Sequence, residues 1–207
     1  MTSSLTESLT DREDLQIQSD YPSTHLTVAD LERVQVILSE AHLDYQLELV
    51  DGKIIVMGPS DIVSSEIGLE FGRLLGNWVK PRKLGRVFES SGGFILPNSD
   101  LRAPDVSFVV ADRLKQSKRY FAELVPDLVV EIKSQSDRLK PLQEKILSFI
   151  ELGAKVGILI DPDKRTVTIY TPTSEPVVLR DGDTIAIPDL LPGWEVPVAE
   201  LWPIEFE

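Results

Sequence analysis

The chain has 207 residues, no cysteine and a formal net charge of −13. That length suits one domain able to bury a full core, and the missing cysteines exclude both a disulfide framework and a thiolate metal site. No run approaches ~20 consecutive apolar residues, the length of a spanning helix, and Met1–Glu7 has neither the basic nor the apolar region of a secretory signal, so a cytoplasmic protein without membrane contact is expected.

A charge of −13 argues at first against nucleic acid, whose binders are usually basic. The ends carry most of it. Residues 1–20 hold five acids and one Arg, residues 175–207 hold eight acids and one Arg, and the 21 acids and 19 bases between them nearly cancel. The central bases fall in three groups: Lys80, Arg82, Lys83 and Arg86; Arg113, Lys115, Lys118 and Arg119; and Lys133, Arg138 and Lys140. Such groups serve as phosphate contacts or as solvated loop charge.

Residues 1–20, rich in Ser, Thr and acids and without periodicity, predict a disordered acidic tail, which leaves 21–207 as one domain. Thr27 is a candidate N-cap for a helix to about Ala41, with Leu31, Val34, Ile37 and Leu38 at helical spacing. Two apolar runs, 45–50 and 53–57, flank Asp51-Gly52, a strong hairpin signal. His25 and His42 lie outside the core patterns and are given no role.

Ser60-Asp61 predicts the start of a long helix to about Lys80, with an apolar stripe of Val63, Ile67, Phe71, Leu74, Leu75 and Trp78. Glu66 and Glu70 stand one turn apart at its edge with Arg73, either reaching toward a site on the sheet or forming a surface charge row. Strands are expected over 86–90 and 94–96, joined through Ser91-Gly92-Gly93, and a helical turn over 121–124. A third helix is expected from Pro141, stopped by Gly153, followed by a strand over 156–160 that a right-handed crossover would set parallel to the one at 128–132. Strands follow over 166–170 and, from Val177, in a hairpin across Asp181-Gly182-Asp183, with Trp194 and Trp202 covering the core.

The chemistry concentrates in Ala103-Pro104-Asp105, which opens a strand to Val110, and in Leu128-Val129-Val130-Glu131-Ile132-Lys133. The second run reads as a central strand buried on both faces, with Glu131 as its one polar intrusion. Alternation puts Val129, Glu131 and Lys133 on one face. Residues two apart lie ~6.6 Å from each other along a strand, room for a cation or a water. Two carboxylates converging from neighbouring strands suit Mg²⁺ or Mn²⁺ better than zinc. The same residues fit a satisfied Glu131–Lys133 or Asp105–Lys133 ion pair capping the sheet. A lysine at a buried strand end is expected to have a lowered pKa, useful to a base.

With a Glu-bearing helix before it and a helix after it, this pattern resembles the PD-(D/E)xK restriction-endonuclease-like superfamily. More closely it resembles the Uma-type bacterial endonuclease family, a domain of unknown function. The matching stretches include Leu49-Val50-Asp51-Gly52-Lys53, Met57-Gly58-Pro59, Arg102-Ala103-Pro104-Asp105, Pro126-Asp127 through Ser134, Glu144-Lys145, Asp161-Pro162 and Leu191-Pro192-Gly193, in order over roughly residues 22 to 200. The resemblance implies an α/β (α+β mixed) fold, a mixed central sheet flanked by helices with additional β-hairpins. It implies Asp105, Glu131 and the Ile132 carbonyl as metal ligands, completed by Glu66, with Glu70 the other candidate. Lys133 would orient or deprotonate the attacking water, and Lys145 would contact phosphate or water. Ser64 stands where many members carry a His. The function implied is Mg²⁺- or Mn²⁺-dependent hydrolysis of DNA, by a homodimer if both strands are cut. The competing expectation is a non-catalytic module of the same fold that binds protein or nucleic acid.

Overall fold

The computed structural model describes residues 25–114 and 120–206. The expected tail at 1–20 lies outside the described residues, as do Lys115, Lys118 and Arg119 of the second basic group.

Helix α1 (Val28–Glu40) begins on Thr27, whose side chain accepts from Asp30 N while the Asp30 carboxylate accepts from Thr27 N, a reciprocal capping box. Only Leu31 of its stripe is fully buried, and Ile37 is exposed. Strands β1 (Gln46–Val50) and β2 (Lys53–Met57) form the expected hairpin. Asp51 and Gly52 both take positive φ, 49° and 70°, as the tight turn requires. With β4 (Phe94–Ile95) and β5 (Leu101–Arg102) they make a four-stranded sheet ordered β2-β1-β5-β4.

The main sheet is ordered β10-β9-β8-β7-β6-β3, from β3 (Gly85–Glu89), β6 (Val106–Val110), β7 (Leu128–Ile132), β8 (Val156–Asp161), β9 (Thr166–Tyr170) and β10 (Val177–Arg180). All pairs are antiparallel except β7–β8, joined through α3 (Leu139–Glu151). One face packs α2 (Ile62–Arg82) and the C-terminal segment, in a core that contains Phe71, Phe108, Val130, Ile158 and Trp194. The other face packs Val109 and Val129 on Phe149 of α3 and on Phe94. β7 is buried at every position, Glu131 included, as a run apolar but for that one residue predicts.

Three expectations are corrected. β3 and β4 do not pair through Ser91-Gly92-Gly93 but enter different sheets. No hairpin spans Asp181-Gly182-Asp183: β10 pairs with β9, whereas β11 (Thr184–Ala186) pairs with β12 (Glu195–Pro197). In both cases local turn chemistry marks a chain reversal and long-range pairing chooses the partner. Phe121 to Leu124 is not helical; Ala122 bridges Phe94 and its N–H donates to Gly93 O. The helices also differ at their ends. α2 runs through Pro81 to Arg82 and closes on Lys83 in the left-handed conformation, while α3 starts two residues before Pro141.

Candidate active site

Asp105 precedes β6 by one residue, and its Oδ2 accepts the Ile132 backbone N–H at 2.7 Å across the β6–β7 pair. Its location at the strand's start follows from Pro104, which ends pairing there because it has no N–H to give. Burial pushes its carboxyl above the ordinary range, opposed by the Ile132 hydrogen bond and by Lys145.

Glu131 turns to the α3 side of the sheet with Val129, as alternation requires. Its partner is not Lys133. The Lys145 ammonium, from α3, stands 2.9 Å from Glu131 Oε1 and 2.9 Å from Glu48 Oε1, and it donates to Ala103 O at 3.2 Å. Glu48, in the middle of β1, also accepts from Ala103 N at 2.8 Å and lies 3.2 Å from Arg102 Nε. Arg102 is 3.8 Å from Asp100, whose Oδ1 holds the Asp51 N–H of the hairpin turn. A line of buried alternating charge thus runs from the main sheet into the small one.

Burial pushes the Glu131 carboxyl up to about 8, with Lys145 opposing and Asp105 reinforcing the shift. Burial pulls the Lys145 ammonium down, but Glu131 and Glu48 outweigh it and the net direction is up. A carboxyl whose pKa is raised must give up any proton it carries before it can hold a cation. Titration of the protein with Mn²⁺ in buffers of different ionisation enthalpy should therefore register proton release at pH 7. Apparent affinity should rise with pH and level off above about 8. An affinity that does not vary between pH 6 and 9 contradicts this.

Lys133 departs from expectation. Its ammonium donates to Asp163 Oδ2 at 2.6 Å, in the β8–β9 turn, and to Ser134 O at 3.2 Å. The Asp163 hydrogen bond raises its pKa instead of lowering it, because a carboxylate at contact distance outweighs the loss of solvent. Glu66 is exposed on α2, and Glu70 gives both oxygens to Arg73. The structure therefore brings together Asp105, Ile132, Glu131 and Lys145, and leaves Glu66, Glu70 and the Lys133 ammonium outside that group. Glu48 and Arg102 are the members that residue patterns did not single out. A signal existed: Leu47-Glu48-Leu49 repeats the lone acid in an apolar strand that flagged Glu131, and Leu47, Glu48 and Leu49 are all buried.

A cleft of about 720 Å³ opens on Asp105 and Ile132, walled by Ser64, Gly68 and Gly72 of α2 and by Gln46 of β1. Asp61 caps α2 through Val63 N and Ser64 N, and its other oxygen accepts from Gln135 N, beyond β7. Glu131 is not part of the wall. The first basic group is exposed at the far end of α2, on or after its last turns, with Arg82 ~20 Å along the helix from Gly68. Arg113 pairs with buried Asp127 at 3.1 Å. Neither His25, packed at Gly52, nor His42, in the turn after α1, joins the site.

The model of a family described as "Uma2: Putative restriction endonuclease" matches residues 29–199. A crystal structure titled as a "putative nuclease belonging to DUF820" from Anabaena variabilis superposes with TM-score 0.69 at 24% identity, covering 78% of this chain and 94% of that one. At that identity the likeness is one of fold. The DrdV–DNA complex aligns at TM-score 0.37 and 18% identity over 65% of this chain and 11% of its own, and carries no argument. No curated protein matches.

Proposed function

Because the chain belongs to the Uma2 restriction-endonuclease family, whose model spans residues 29–199, we propose that it hydrolyses DNA phosphodiesters with a divalent cation held at the β6–β7 strand ends. The observation that carries this is a buried carboxylate oxygen without a directed donor. Glu131 Oε1 has no partner in hydrogen-bond geometry, although the Lys145 ammonium lies 2.9 Å away. A buried oxygen served only by an ammonium that it shares with Glu48 has capacity left for a second cation.

The donor set fits a hard ion. Among the described residues no three acidic, His or Cys side chains gather into a metal site by themselves. The ligands proposed are therefore Asp105, Glu131 and the Ile132 carbonyl, with waters filling the remainder, as Mg²⁺ or Mn²⁺ prefers. A cation so bound supplies charge to the phosphate oxygens and a more acidic water. Asp105 is fixed for that work by Ile132 N–H, and Lys145 adds a second positive charge behind it. Lys133, tied to Asp163, is proposed as an outer contact to phosphate and not as the base. Glu66 is left as a peripheral carboxylate on the cleft-side helix. Cutting both strands of a duplex would take two copies related by two-fold symmetry.

Incubating supercoiled plasmid with the purified protein at low salt should give nicked circles with Mg²⁺ or Mn²⁺ and none with EDTA. Intact plasmid under every condition, with no metal heat by calorimetry, would favour a binding module built on the nuclease fold.

A further inference from the structure

Lys145 and a divalent cation compete for the same oxygen. The ammonium is shared between two carboxylates at the same distance, 2.9 Å to Glu131 Oε1 and 2.9 Å to Glu48 Oε1. The two ends differ in how firmly they are held. Glu48 accepts a hydrogen bond from Ala103 N–H, has the Arg102 guanidinium 3.2 Å away as a second counter-charge, and is buried in β1. Glu131 Oε1 has no neighbour of that kind beyond the Lys145 ammonium itself.

Resting on the metal reading above, we propose that Glu48 is a positioning residue: it is the anion that retains the Lys145 ammonium when a divalent cation claims Glu131. Two cations on one carboxylate repel strongly where water is excluded. The exchange proceeds because Lys145 already has a second anion within contact and need only stop sharing. Its contact with the Ala103 carbonyl does not involve Glu131 and need not break in the exchange. Without the Glu48 charge, Lys145 has Glu131 alone, and the cation must strip it away with nothing to receive it. An ammonium retained by Glu48 would also keep one positive charge beside the site after loading.

The test is Mn²⁺ binding by calorimetry to the full chain, in the wild type, Glu48→Gln, Lys145→Met and the double variant, with thermal melts to confirm that each is folded. Glu48→Gln should weaken binding about ten- to a hundredfold. Lys145→Met should bind at least as tightly as wild type, and adding it to Glu48→Gln should restore the lost affinity. Glu48→Asp, which keeps the charge, should recover part of it if Glu48→Gln melts too low to measure.

Unchanged affinity in Glu48→Gln, or a double variant as weak as the single, overturns the proposal; the latter result would make Glu48 a direct ligand or a purely structural residue. If wild type and Lys145→Met alike bind no Mn²⁺, the metal reading falls and takes this one with it. Binding in both with no effect of Glu48→Gln removes this inference alone.

Discussion

Glu131→Gln should lower metal-dependent plasmid nicking on the order of 10²- to 10³-fold, the scale seen when a group that stabilises transition-state charge is removed. The amide keeps the shape of Glu131 and its fit beside Lys145 but cannot carry the charge a cation needs. Stability should move the other way. The Glu131 carboxyl is raised from 4.5 to about 8 in the folded protein, so between those values the folded state binds more protons than the unfolded chain. Its contribution is therefore fully present below pH 4.5 and is lost as pH rises through about 8. The metal-free wild type should lose thermal stability across that window, and Glu131→Gln should lose less. At pH 9 the variant should melt higher than metal-free wild type and lower than wild type with saturating Mn²⁺. A variant that nicks as wild type does would remove Glu131 from the mechanism.

Gly85→Ala should cost about 3 kcal/mol or more, near the upper end for overpacking. A Cβ at Gly85 would lie 2.1 Å from Val109 O and 2.7 Å from the Phe108 ring. The first is main chain in β6 and the second is a fully buried core side chain. Neither can swing aside, so β3 must separate from β6. Urea unfolding should show a lower midpoint with an unchanged slope. Gly76→Ala supplies the contrast: it lies within α2 with open space around its Cβ position, and gains ~0.5–1 kcal/mol from helix propensity. If Gly85→Ala proves as mild as Gly76→Ala, the close β3–β6 approach is wrong.

Much of the fold was legible because its signals are local. The run at 128–132, the Thr27 cap, the Asp51-Gly52 turn and the Gly153 stop, where φ is 117°, each specify a segment from within itself. The corrected elements depend on partners far along the chain. Nothing near Gly92 says that β3 joins β6 while β4 joins β5, and nothing near Gly182 separates β10 from β11. The site divides in the same way. Asp105 and Glu131 announce themselves by interrupting strands, whereas the direction of the Lys133 ammonium was decided by Asp163, an ordinary turn residue in sequence. Glu48 was passed over because a Glu in a hairpin strand is normally on the wet face. Here α3 and β5 bring a lysine and an arginine to cover it.

The buried charges that run from Glu131 through Lys145 and Glu48 to Arg102 come from α3, β1, β5 and β7, segments drawn from both halves of the chain. On a ribosome the three carboxylates Glu48, Asp105 and Glu131 emerge before the lysine that two of them depend on. Contacts of such separation carry a large loop-closure cost. A nascent chain therefore holds the acids without their organising cation, and the constellation is complete only once α3 has been made and has docked. The proposed site is in this way tied to completion of the fold, and a chain that ends before α3 lacks the lysine that Glu48 and Glu131 share.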